Sequence, residues 1–332
     1  MGYTGWSQDL YRDRERERVV TNTPTFAHTH AVRTGKAEKK CHPNLDPRGV
    51  KLREARDSVE HPESVPIVVL CDVTGSMHRH PEIFQKKLPD LMDILLEKNY
   101  CTDPQILVGA IGDHVSDQAP LQVGQFESGI EIDEDIGRLY LEGNGGGSGE
   151  ESYEMALYFI ARHTVTDAWE KRGKKGYLFL TGDEHAYPVV SRMGVQRWLG
   201  DNIPADIPLA QIIAEVKEKW NVFFLVPGKT SHTSSEIDRA ELHRYWSGLL
   251  GPEHVVMLNN AEAISETIGA TVGLCEKDVD LARVATDLAG SGTSIVNDVT
   301  KGLDGLAKSV ALAKAGKGNI PAGVKTAKTT RL

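Results

Sequence analysis

Residues 66–76 read PIVVLCDVTGS, and the fold follows from how this stretch is read. An apolar run from Pro66 to Cys71 ends on Asp72, with Thr74 and Ser76 following at alternate positions around Gly75. A strand this continuous in Val, Ile and Leu is buried on both faces, which places it in a parallel sheet between helix layers. At its end it delivers one carboxylate and two hydroxyls to a tight turn. Hard oxygen donors grouped in this way suit Mg²⁺, Mn²⁺ or Ca²⁺ rather than zinc. Taken alone, the same residues also serve as a strand-end turn that caps the next helix.

Outward from this strand, two signals alternate as far as about Gly273. Further β-type runs are ILVGAIGD (106–113), GYLFLTGD (176–183), NVFFLVP (221–227) and HVVMLN (254–259). Between them lie helical periodicities. One carries Ile83, Phe84, Leu88, Leu91, Met92, Leu95 and Leu96, with a kink expected at Pro89. Others carry Tyr153 to Ala161, Leu209 to Trp220, and Ala261 to Val272. Trp169, Trp198, Trp220 and Trp246 fall in such patterns and read as packing residues. The weaker stretch 122–141 has room for a short antiparallel edge strand. The expected architecture is α/β: a doubly wound, mostly parallel, six-stranded sheet with helices on both faces.

Two extensions flank this unit. Residues 1–63 are polar and mixed in charge. Residues 274–332 hold apolar spacing for two amphipathic helices, or one broken at GSGTS (290–294). The chain then becomes basic, with Lys308, Lys314, Lys317, Lys325, Lys328 and Arg331 and no acid after Asp304. The domain division read from the pattern is therefore 1–63, 64–273 and 274–332.

Composition narrows the function classes. The chain has 332 residues, 40 % apolar, with a formal charge of −9, which disfavours bulk nucleic-acid affinity. No apolar run reaches the roughly 18 residues of a membrane span. The N-terminal MGYTGWSQDLYRDRERER has no apolar core of a signal peptide, and Trp6 at position six argues against myristoylation of Gly2. Cys41, Cys71, Cys101 and Cys275 show no paired spacing, which reads as reduced, cytoplasmic usage.

Ligands of an open α/β sheet bind beyond the carboxyl ends of its strands. Asp72, Asp113 and Asp183 each end a strand, and GNGGGSGEES (143–152) leads into a helix between the last two. Topology alone gathers these groups on one rim. The glycine-rich loop lacks the Gly-Lys-Ser/Thr ending of a phosphate loop. His28, His30, Cys41 and His42 fit no standard zinc spacing. Asp113 reads as a supporting loop residue, and His78 and His80 as solvated residues at a helix start.

Asp72-Val73-Thr74-Gly75-Ser76 resembles the Asp-x-Ser/Thr-x-Ser motif of von Willebrand factor A domains. Thr181-Gly182-Asp183 resembles the family's second aspartate, though Glu184-His185 follows where many relatives have Gly. GGGSGEESYEMAL (145–157) resembles the intervening loop and helix. The resemblance spans roughly residues 64–273 and implies a metal-ion-dependent adhesion site. It implies Asp72, Thr74, Ser76 and Asp183 as ligands, direct or through water, with Ser148 or its rival Glu151 completing the set. The implied cofactor is a divalent cation, Mg²⁺ first, with Mn²⁺ and Ca²⁺ as alternatives. The implied partner is a protein that supplies an Asp or Glu to the cation.

Stand-alone domains of this kind, in a bacterial or phage-infected cell, often act as adaptors beside a MoxR-type AAA+ ATPase, so a non-enzymatic role is expected. Two other classes stay open. One is nucleic-acid binding through the basic tail. The other is metal-assisted hydrolysis using Asp113, Asp183 and His185.

Overall fold

A computed structural model describes residues 5–143 and 149–318, with side chains as far as residue 315. Six strands form the central sheet: β1 (Ser64–Asp72), β2 (Asp103–Ile111), β3 (Leu121–Val123), β4 (Gly176–Thr181), β5 (Trp220–Pro227) and β6 (Val255–Leu258). Their order is β6-β5-β4-β1-β2-β3. All neighbours run parallel except β3, which pairs antiparallel with β2 from Gly109↔Val123 to Ile111↔Leu121. The doubly wound α/β expectation and the antiparallel edge strand both hold. The order reverses between β1 and β4, where Ile67↔Tyr177 through Cys71↔Thr181 are in register. Such a reversal opens a crevice at the carboxyl ends of the strands.

Alternation along β1 builds two cores. Ile67, Val69 and Cys71 face one layer with α3 (His80–Met92), α4 (Glu131–Arg138) and α10 (Ile264–Glu276). Val68 and Leu70 face the other, with α5 (Tyr153–Arg162), α8 (Leu209–Lys219) and α9 (Glu236–Leu250). Asp72 continues the second set, so its carboxylate emerges on the α5 side of the rim.

Some sequence expectations change. Pro89 lies inside α3 without ending it, and the irregularity comes one turn later as a π turn over Asp93–Glu97. Pro89 lacks the N–H that would reach the carbonyl of Gln85. That carbonyl instead accepts the Tyr11 hydroxyl at 3.0 Å, from α1 (Gln8–Thr21). Trp220 is not the last residue of a helix. It opens β5 fully buried, stacked on Phe126 with ring centroids 6.2 Å apart. The α9 helix shows in the sequence through Trp246 alone, because its buried residues, Arg239, Leu242, Trp246 and Leu250, form a narrow stripe.

The extensions pack at both ends of the strand order. At β3, the Val123 N–H donates to Leu45 O at 2.8 Å, and Arg53 donates to Val123 O at 3.0 Å. At β6, helix α12 (Thr293–Gly302) packs so closely that a Cβ on Gly302 would lie 2.7 Å from Val256 Cγ1. The N-terminal helix is tied to α4 by Arg18–Asp133 at 2.6 Å and Arg14–Glu134 at 2.5 Å. The short helices α2 (Ala27–Arg33), α6 (Asp167–Arg172) and α7 (Arg192–Trp198) lie in the connections, and beyond α10 the chain forms α11 (Leu281–Asp287), α12 and α13 (Asp304–Gly318), one helix more than expected there. The basic residues Lys325, Lys328 and Arg331 lie outside the described residues, as does the side chain of Lys317.

Candidate functional site

The rim at the strand reversal is built from the loops after β1, β4 and β5 and the start of α5. Asp72 ends β1 with no exposed surface. Its Oδ1 accepts from the Thr74 N–H at 2.9 Å and the Thr74 hydroxyl at 2.5 Å, a local turn set by the alternation in the sequence. Its Oδ2 accepts from Tyr153 Oη at 2.5 Å. Asp183, two residues beyond β4, accepts from Ser76 Oγ at 2.9 Å on Oδ1 and from the Thr230 hydroxyl on Oδ2. The structure thus brings Asp72, Thr74, Ser76 and Asp183 together. Ser148 lies outside the described residues.

Two carboxylates meet here, and neither forms an ion pair with a Lys or Arg among the described residues. Burial, and then the charge of Asp183, push the Asp72 carboxyl up to about 7. Burial and the charge of Asp72 also raise the Tyr153 hydroxyl, which keeps it a donor. Glu151 is 1 % exposed, and burial, followed by the charge of Asp72 and the neighbouring Glu184 carboxyl, pushes its carboxyl well above the ordinary range. Its Oε2 has no hydrogen-bond partner among the described residues. Glu151 therefore sits near Asp72 and Glu184 as a buried acid.

The donor chemistry fits a hard cation. The excess negative charge is buried, and the Thr74 and Ser76 hydroxyls donate to carboxylates while accepting no hydrogen bond from a described residue. Their lone pairs remain open to a cation. Among the described residues no group of three or more His, Cys, Asp or Glu side chains is arranged to hold a metal. The expected set is of another kind: two carboxylates with hydroxyls around them.

Other predicted positions have structural roles. Asp113 is fully buried, and both its oxygens are engaged. It accepts from Val115 N at 3.1 Å, Ser116 N at 3.1 Å, Ser116 Oγ at 2.8 Å and Tyr187 Oη at 2.8 Å. It shapes the loop after β2. His185 packs on Tyr245, with ring centroids 4.1 Å apart. His78 is exposed, but His80 is buried, with Nδ1 at 3.1 Å from Met77 O and Nε2 at 3.1 Å from Pro227 O. The ring joins the loop after β1 to the end of β5, which a solvated helix start would not do. His28 lies 2.9 Å from Lys40 O, and the Cys41 thiol is buried in the core, so these residues are packing and turn elements.

Three site residues were missed in the sequence. Tyr153 read as the first apolar residue of a helix. Thr230 sits in GKTSHTSS (228–235), a Ser/Thr-rich loop that follows a strand, and the strand-end rule that found Asp183 would have reached it. Arg239, in a narrow helical stripe, buries its guanidinium against Gly228 O and Leu258 O, each at 2.9 Å, and so anchors the loops after β5 and β6.

The class that fold and rim define is a doubly wound α/β domain with an oxygen-rich site at its topological switch point. No family model and no curated protein matches the chain. Among solved structures it is similar to the pilus adhesin SpaC from Lactobacillus rhamnosus GG in an open conformation. That match has 11 % identity and a TM-score of 0.44, and covers 69 % of this chain and 31 % of the other. It is also similar to proximal thread matrix protein 1 from the mussel byssus, at 12 % identity and a TM-score of 0.40, covering 69 % and 47 %. A von Willebrand factor type A structure from Catenulispora acidiphila shows 18 % identity and a TM-score of 0.37, covering 64 % and 42 %. The chain thus spans less than half the length of each of these structures. The fold described above rests on its own strand order and registers. Among the described residues no helix is long and apolar enough to cross a membrane.

Proposed function

We propose that this protein is a cation-dependent protein-binding module. The observation that carries the reading is the pair Asp72 and Asp183 at the switch point, held by hydroxyls and matched by no Lys or Arg among the described residues. Asp72, Thr74, Ser76 and Asp183 would hold a divalent cation, Mg²⁺ first and Mn²⁺ or Ca²⁺ as alternatives. Ser148 or Glu151 would complete the set. When bound, the cation supplies an electrophilic coordination position that a partner's Asp or Glu can fill.

The rim adds a condition on that partner. A cleft of about 510 Å³ beside Asp183 is lined by Glu150, Glu184, Asp238 and Glu241. An acidic segment entering this field is repelled unless it carries basic residues beside its carboxylate. In the adaptor form of this reading the protein acts in the cytoplasm beside a MoxR-type AAA+ ATPase. The support for that form is the motif resemblance alone.

Thermal melting with MgCl₂ and with EDTA tests the ligand set. Mg²⁺ is expected to raise the Tm of the wild type by linkage and to leave Asp72→Ala and Ser76→Ala unchanged. Equal shifts in all three proteins would reject these residues as ligands.

A further inference from the structure

We infer that Thr230 is a positioning residue of the site, a hydroxyl held by its own loop against the Asp183 carboxylate. The inference rests on the cation reading for its ligand, and on the loop geometry for its evidence.

Thr230 is carried by the loop from Gly228 to Ser235, between β5 and α9. Its Oγ1 accepts from the backbone N–H of His232 at 3.2 Å and of Thr233 at 3.2 Å. A hydroxyl has two acceptor positions and one proton. The Thr233 hydroxyl also lies 3.0 Å away, but the Asp183 carboxylate is both the nearer partner and the stronger acceptor, and it takes the proton on Oδ2. Thr233 closes the turn from the other side: its Oγ1 accepts from Thr230 N at 3.1 Å and donates to Gly228 O at 3.3 Å. Gly228 O also accepts from the buried Arg239. Gly228 has φ +102, and a Cβ there would lie 3.4 Å from Ala261 N and Asn259 O. The loop is therefore anchored at its Gly228 end by groups away from the cation.

This separates Thr230 from Ser76. The two hydroxyls hold opposite oxygens of one carboxylate. Ser76 keeps free lone pairs and can ligate, whereas Thr230 has none to give. Its role is to fix the rotation of the Asp183 carboxylate, as a hydrogen-bonded neighbour of a ligand does. The Asp-x-Ser/Thr-x-Ser motif contains no such residue, and this one comes from a different strand end.

The test compares Thr230→Val, which keeps the shape and loses the hydroxyl, with Thr230→Ser, which keeps the hydroxyl. Mn²⁺ affinity is measured by calorimetry on the full chain, and crystal structures of wild type and Thr230→Val are determined in EDTA. Expected are a loss of affinity of about 10–100-fold for Thr230→Val and a value near wild type for Thr230→Ser. Wild-type affinity in Thr230→Val, or an equal loss in both variants, would overturn the inference. If the wild type itself takes up no Mn²⁺, the cation reading fails. The crystal structures then decide the positioning role: an Asp183 carboxylate turned away in Thr230→Val supports it, and one left in place overturns it.

Discussion

Gly182, between the last residue of β4 and Asp183, has no room for a side chain. A Cβ at this position would lie 1.8 Å from Tyr153 Oη, the atom that donates to Asp72. Gly182→Ala is expected to destabilise the fold by about 1–3 kcal/mol in urea titration, as overpacking does. Tyr153→Phe removes the nearest clashing atom and leaves the ring carbons at 2.6 and 2.9 Å. The double variant should lose less than the sum of the single losses, since the two positions meet. Strictly additive losses would mean that the hydroxyl is not what Gly182 accommodates. The ligand candidates Asp72, Thr74, Ser76 and Asp183 were legible because a strand end gives both residue type and position. Tyr153 was not, because in a one-dimensional pattern an aromatic at a helix start is indistinguishable from core. Its hydroxyl acquires meaning only once α5 is laid across the end of β4.

At the scale of elements, α1 and α3 share a hydrogen bond that Pro89 makes necessary. The carbonyl of Gln85 has no helical donor, and Tyr11 supplies one. Tyr11→Phe is expected to cost about 1–3 kcal/mol, because it leaves a buried carbonyl unmatched. Pro89→Ala restores the helical N–H, so in its background the same substitution should cost clearly less. An unchanged cost in both backgrounds would show that the hydroxyl acts by accepting from Gln85 Nε2, at 2.8 Å, rather than by donating to Gln85 O.

The main strands were legible because each is apolar throughout, a pattern that survives in a single sequence. The positions of α1 and α12 were not, because they depend on partners remote in the chain. Asp298 shows why: it collects the backbone N–H groups of Asn259 at 2.7 Å and Asn260 at 2.8 Å. Nothing in the composition of residues 293–302 announces that contact.

The whole molecule carries its acids unevenly, and this governs its response to pH. Asp117 is 3 % exposed, and burial raises its carboxyl to about 6 from an ordinary 3.8. Below 3.8 it is protonated in both folded and unfolded chains and contributes no difference. Between 3.8 and about 6 the folded chain holds a proton that the unfolded chain releases, so stability falls as pH rises. Above that window the loss is complete. Asp117→Asn removes the titration. From pH 4 to pH 7 the wild type should lose up to about 3 kcal/mol relative to this variant. A stability difference between the two that does not vary with pH would contradict the assignment.

The covering of the β3 edge limits how a strand can reach this molecule. Leu45 and Arg53 occupy the polar groups of Val123 there, while at the far side Asp298 takes the N–H groups of the turn beyond β6. A visiting strand finds the Val123 position already paired, which hinders strand addition and edge-to-edge growth at β3. A fragment trimmed of the segment that carries Leu45 and Arg53 would free the polar groups of Val123 and open that edge to strand addition, away from the switch-point site.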